Sequence, residues 1–124
     1  MFDHVGLGVS DYARSKSFYE AALAPLGVVL QMEPVEKVAA FGKDGPTFWV
    51  QERTPAVRGG LHIAFAAEDH ATVDAFHAAG LAAGGRDNGA PGYRPDYAPD
   101  YYGAFVIDPD GNHLGVVARI APEV

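Results

Sequence analysis

Two histidines open the chemical reading. His4 and His62 stand 58 residues apart, each near the start of an alternating apolar stretch. At the same offset Asp11 falls on Asp69 and Phe18 on Phe76, so both halves read His, six residues, Asp, six residues, Phe. Asp44-Gly45 and Asp110-Gly111 also correspond, at an offset of 66. Neutral imidazoles ligate a divalent metal such as Zn, Fe, Mn, Ni or Co when an anionic carboxylate completes the set. They serve equally well as hydrogen-bonded polar groups in a cavity. The sequence leaves both roles open for His4 and His62.

Further side chains could act beside them. His113, Glu52 and Tyr102 are candidates for a catalytic base or acid. Trp49, Gln51, Tyr93, Tyr97 and Tyr101 offer ring faces, an amide and hydroxyls, and are the candidate ligand-binding residues. Tyrosines in that stretch could equally anchor a long loop. His70 and His77 lie two turns apart on one helix, about 10 Å in rise, so they cannot share a metal. Both read as structural or solvated. Gly6 and Gly8 form Gly-x-Gly without the third glycine of a dinucleotide fingerprint, and read as residues that leave space.

The elements that position these groups follow from periodicity. Residues 2–10 alternate, with Val5, Leu7 and Val9 on one face and His4, Gly6 and Gly8 on the other. Asp11 supplies a helix N-cap. Ser15, Phe18, Tyr19, Ala22, Leu23 and Leu26 then form one apolar stripe, which Pro25 and Gly27 terminate. Residues 28–32, 37–42 and 47–51 are three strand candidates, with Lys43-Asp44-Gly45-Pro46 as the turn between the last two. The second half repeats the order. Residues 60–67 form a strand with Leu61, Ile63 and Phe65 on one face and His62, Ala64 and Ala66 on the other. Asp69 caps a helix whose stripe is Val73, Phe76, His77, Gly80 and Leu81. Residues 102–107 and 112–119 are strands joined by Asp108-Pro109-Asp110-Gly111. Residues 84–100 hold four Gly, three Pro and three acidic residues and read as a lid or edge segment over a pocket.

The first strand of each half carries bulk on one face and His with Gly or Ala on the other. Helices belong on the bulky face. The small-residue face leaves room, and if the two sheets combine, His4 and His62 line one concavity suited to a metal or small ligand. The expected architecture is a single α+β domain over residues 1–124, with two βαβββ modules near 1–58 and 59–124.

Composition narrows the partners. With 124 residues, 48% hydrophobic and 20% charged, the chain can bury its own core. A net charge of −7 argues against nucleic acid and anionic membrane, and points instead to a cationic or aromatic ligand. The absence of cysteine excludes disulfides and thiolate chemistry. No leader-like or membrane-spanning stretch is recognisable, so the expected location is cytoplasmic.

Asp3-His4-Val5 with Ser10-Asp11, Ser17-Phe18-Tyr19 and Asp108-Pro109-Asp110-Gly111-Asn112 resemble the glyoxalase/bleomycin-resistance/dioxygenase (vicinal oxygen chelate) superfamily. The resemblance spans the whole chain. It implies a cupped mixed sheet with helices on its outer face, a homodimer, and His4 and His62 as metal ligands. It also implies a carboxylate about four residues after the last turn glycine and another in the fourth strand. Those positions hold Gly115 and Trp49. Two imidazoles alone leave a divalent cation undercompensated, so any metal is expected to be weak or absent. His113 shares a strand face with Gly115 but is displaced about 7 Å along it. Two functions follow: a metal-dependent lyase, isomerase or dioxygenase with a degraded site, or a metal-free small-molecule or drug-binding protein. An interaction domain without chemistry is a third.

Overall fold

The structure is a computed structural model and describes residues 2–123. Eight strands and two main helices follow one another as two βαβββ units. The first comprises β1 (Val5–Val9), α1 (Tyr12–Leu23), a 3-10 turn (Ala24–Leu26), β2 (Val29–Met32), β3 (Val38–Gly42) and β4 (Phe48–Glu52). The second comprises β5 (His62–Ala67), α2 (His70–Ala82), β6 (Arg86–Tyr93), β7 (Tyr101–Ile107) and β8 (His113–Arg119). Each unit forms a four-stranded mixed sheet, in the order β1-β4-β3-β2 and β5-β8-β7-β6.

The internal repeat is a repeat of register. β1 runs parallel to β4 with Val5 opposite Phe48 and Gly6 opposite Trp49. β5 runs parallel to β8 with Ile63 opposite Leu114 and Ala64 opposite Gly115. These pairs superimpose at the same offsets that align the two halves of the sequence.

Local chemistry explains the helices. The Asp11 side chain accepts from the Arg14 amide and the Asp69 side chain from the Thr72 amide, so both N-caps form as expected. The first stripe is buried throughout: Ser15, Phe18, Tyr19, Ala22, Leu23 and Leu26 are all inside. α1 stops at Leu23 because Pro25 enters a 3-10 turn and Gly27 takes φ 74°. In α2 only Val73, Phe76 and Gly80 are fully buried, and Leu81 stays 37% exposed. Gly85 is required beneath Phe18, because a Cβ there would meet the Phe18 ring at 2.9 Å.

The helix-facing residues of both sheets join in one core of Leu7, Val9, Phe41, Val50, Val106, Leu114 and Val116 with the helix stripes. Phe48 and Phe65 bridge the sheets at 5.5 Å between rings. Polar ties lock the halves. The buried Tyr19 hydroxyl donates to Asp108, and Ser10 and Arg14 both hold Asp110. Asn112 accepts from Gly59 N at 2.8 Å and donates to Val57 O at 2.8 Å.

Two expectations shift. β1 starts at Val5, not near Phe2, because the first ladder bond is Val5 N to Thr47 O and Phe2 remains 82% exposed. Much of the segment expected as a lid or edge is strand β6. It is an edge strand on β7, with register breaks between Asp87 and Gly89 and between Gly89 and Gly92. No helix among the described residues is long and apolar enough to cross a membrane.

Candidate functional site

The face of each sheet turned away from the helices carries the histidines. On the first sheet it presents Gly6 and Gly8 from β1, with Trp49 and Gln51 from β4, and Arg53 just beyond. His4 precedes β1. Its Nδ1 lies 2.7 Å from Asp3 Oδ1, and its ring meets Trp49 edge-on at 6.5 Å. A hollow of about 230 Å³ beside it is lined by His4, Val5, Thr47, Ile63 and Ala64 among others. On the second sheet His62 stands in register with His113 on the neighbouring parallel strand, so both project from one face. The His62 ring lies 6.0 Å from Phe105.

An aromatic ring therefore stands beside each histidine. In the first sheet it is Trp49 itself, next to the small Ala40 of β3. In the second sheet the position equivalent to Trp49 is Gly115, and its β7 neighbour is Phe105. A Cβ on Gly115 would lie 2.9 Å from Phe105 Cδ1 and Cε1. The Phe105 ring thus fills the space that a side chain at residue 115 would need. Both positions where the family resemblance puts a carboxylate are covered by aromatic carbon.

The electrostatics of this face differ from the net charge. Arg94 lies over the Phe105 ring, its carbon 5.4 Å from the centroid, held by the carbonyls of Gly92 at 2.8 Å and Ala90 at 2.7 Å. Arg119 lies 4.7 Å over the Tyr101 ring. Arg53 bonds Gln51 Oε1 at 3.2 Å. The sequence-wide acidity pointed to a cationic or aromatic ligand; the cations on these faces are the protein's own.

The other candidates separate into groups. Tyr101 sits on the histidine face of β7, and the exposed Tyr97 packs edge-on against it at 5.1 Å. Tyr93 and Tyr102 pair in register on the opposite, helix-facing side. Tyr93 bonds His70 Nε2 at 3.1 Å and donates to Ile120 O at 3.0 Å. The Tyr102 ring stacks on His70 at 3.8 Å and its hydroxyl donates to Asp74 at 2.7 Å. That bond, with burial, pushes the Tyr102 pKa up to about 12, so the phenol holds its proton at neutral pH. Glu52 is engaged by Lys37 Nζ at 2.9 Å. His77 bonds Asp87 at 2.8 Å. Sequence reasoning missed Phe105, Arg53 and Arg94. Phe105 could have been found by counting back through the 108–111 turn to the residue opposite Gly115.

The donor set does not fit the family's metal. Among the described residues no three His, Asp or Glu side chains converge as a metal cluster. The carboxylate positions are Trp49 and Gly115, and the second is overlaid by Phe105.

Comparison with known proteins agrees with the fold. The model of the Glyoxalase/Bleomycin resistance protein/Dioxygenase superfamily matches residues 1–116. A glyoxalase/bleomycin resistance protein from Albidiferax ferrireducens T118 is 36% identical, with 96% of this chain and 98% of that one covered and a TM-score of 0.82. A glyoxalase-related enzyme from Fulvimarina pelagi shares 19% identity over 95% and 87% of the chains, with a TM-score of 0.75. Lactoylglutathione lyase from Agrobacterium tumefaciens shares 17% over 95% and 92%, at 0.71. At these lower identities the likeness is one of fold. A search of curated proteins found no match. The register repeat, the paired sheets and the family match lead to one assignment: this chain belongs to the glyoxalase/bleomycin resistance protein/dioxygenase superfamily.

Proposed function

We propose that this protein binds a planar small molecule against the histidine faces of its sheets without a divalent metal. The observation that supports this most is the aromatic carbon in both carboxylate positions: Trp49 in one, the Phe105 ring over Gly115 in the other. Rings on a partly exposed sheet face bind by stacking and by apolar contact. His4 and His62 then act as hydrogen-bonding groups at the margin of the ligand. We include a homodimer in the proposal, checked by light scattering on the purified protein.

A second reading keeps a metal. His62 and His113 stand side by side in register, and a divalent ion on that pair would serve a lyase, isomerase or dioxygenase by polarising substrate oxygens. Elemental analysis of dialysed protein, as wild type and His62→Ala, separates the two. Absence of bound Zn, Mn, Fe, Co and Ni after incubation, with Trp49 fluorescence responding to neutral aromatic compounds, is the expected result. Near-stoichiometric metal that disappears in His62→Ala would overturn the metal-free reading.

A further inference from the structure

We infer that the ligand is a planar aromatic carboxylate, with its ring against Trp49 and its carboxylate on Arg53. The inference rests on the reading above that Trp49 marks a ligand face. A hollow of about 180 Å³ runs along β1 and β4, lined by Gly6, Leu7, Gly8, Trp49, Gln51 and Arg53. Arg53 also borders a second hollow of about 260 Å³, together with Ser10, Thr54 and Arg58. The arginine thus forms the wall between two adjoining spaces.

Three features prepare Arg53 for an anion. Its stem lies across Gly8, where a Cβ would stand only 3.2 Å from Arg53 Cβ and 3.3 Å from Cγ. A larger residue at position 8 would push the stem away. Gln51 Oε1 accepts from the guanidinium at 3.2 Å and steadies it inside the hollow. Among the described residues no carboxylate pairs with Arg53 or Arg58, whereas Arg14, Lys16, Lys37 and Arg119 each have an acidic partner. Among the same residues Lys43, Arg86 and Arg94 lack an acidic partner as well; what sets Arg53 apart is that it lines one hollow together with Trp49.

The geometry selects the anion. A guanidinium presents parallel N–H donors that match the two oxygens of a carboxylate. Gln51, which holds the guanidinium, follows Trp49 by two residues on the same strand face, about 7 Å away. A flat acid of two fused rings spans that interval, ring on indole and carboxylate on arginine. The open space above Gly6, where a Cβ would meet nothing within 4 Å, accommodates the ring.

The test is isothermal titration of the intact protein with 2-naphthoate, the neutral 2-naphthamide and the cationic 2-naphthyltrimethylammonium. Naphthoate should bind at least tenfold more tightly than the amide, and the ammonium most weakly. Arg53→Gln should abolish the preference of acid over amide, Arg53→Lys should keep part of it, and neither should lower Tm, since Arg53 is exposed. Acid and amide binding equally to wild type, or an acid preference that survives Arg53→Gln, would overturn the carboxylate inference and leave the aromatic site standing. If none of the three binds, the aromatic site itself fails, and the inference with it.

Discussion

Rebuilding the missing carboxylate tests the central physical argument. Gly115→Glu alone places a Cβ 2.9 Å from two atoms of the Phe105 ring and 3.5 Å from Ala64 Cβ. Overpacking of this kind costs about 1–3 kcal/mol, a fall of roughly 5–15 °C in Tm for a chain of this size. Residue 115 is buried, so an unpaired glutamate there also resists ionisation. Phe105→Ala combined with Gly115→Glu removes the ring and opens the position beside His62. If the ring is what blocks a metal, the double variant should gain one. At a hundredfold excess over Kd a bound ion stabilises by about 2.7 kcal/mol, or roughly 10 °C. Thermal melts with and without Zn, Mn, Co and Ni read this directly. Wild type should show no ion-dependent rise, the double variant a clear one, and His62→Ala in the double background should remove it. A wild-type rise equal to that of the double variant would refute the blocking argument. So would a double variant that folds and gains no affinity.

Further outcomes follow from the fold. Asp69→Ala removes the acceptor of the Thr72 amide and should cost about 1 kcal/mol, read as a fall of roughly 3–6 °C in Tm. Burial, then the Asp108 carboxylate, holds the Tyr19 phenol well above its ordinary pKa of 10.0. Below pH 10 folded and unfolded chains carry the same proton; above it the unfolded chain releases its proton first, so stability falls as pH rises. Tyr19→Phe should flatten that alkaline loss in urea titrations, at a cost of about 1–3 kcal/mol at neutral pH. Asp87 is held below its ordinary pKa of 3.8, first by the His77 hydrogen bond and then by the Gly89 amide. The stability from this depression is present above pH 3.8 and is lost as pH falls through the lowered value. His77→Ala should therefore raise the Asp87 pKa in a carboxyl NMR titration and shrink the acid-dependent loss.

Most of the scaffold was legible because its determinants are local. Two-residue alternation revealed β1 and β5, aspartates marked both helix starts, and Asp-Gly turns marked the hairpins. The equivalence of His4 and His62 was legible too, since it depends only on offset. Edge strand β6 was not, because three glycine or proline residues and two register breaks erase its alternation. Phe105 was hidden for a different reason. Its importance comes from the residue opposite it, so it shows only when β7 and β8 are counted against each other across the 108–111 turn rather than read as single strands. Net charge does not describe the local field, because −7 is a sum over the whole surface, whereas Arg53, Arg94 and Arg119 lie on the histidine faces.

The two halves fill one equivalent space by opposite means. In the first sheet the large residue is on β4 and the small one on β3, as Trp49 beside Ala40. In the second the large residue is on β7 and the small one on β8, as Phe105 beside Gly115. Cross-strand neighbours share a face at about 5 Å between Cβ atoms, and here the Phe105 ring lies in the space that a side chain at residue 115 would need. The same constraint limits what can be restored. A carboxylate at residue 49 only requires Trp49 to be replaced, because its neighbour Ala40 is already small. A carboxylate at residue 115 also requires Phe105 to leave. Trp49→Glu should thus be tolerated better than Gly115→Glu, and comparing their Tm values tests the pairing without any metal. Equal losses would mean that the ring over Gly115 yields freely and does not define the face.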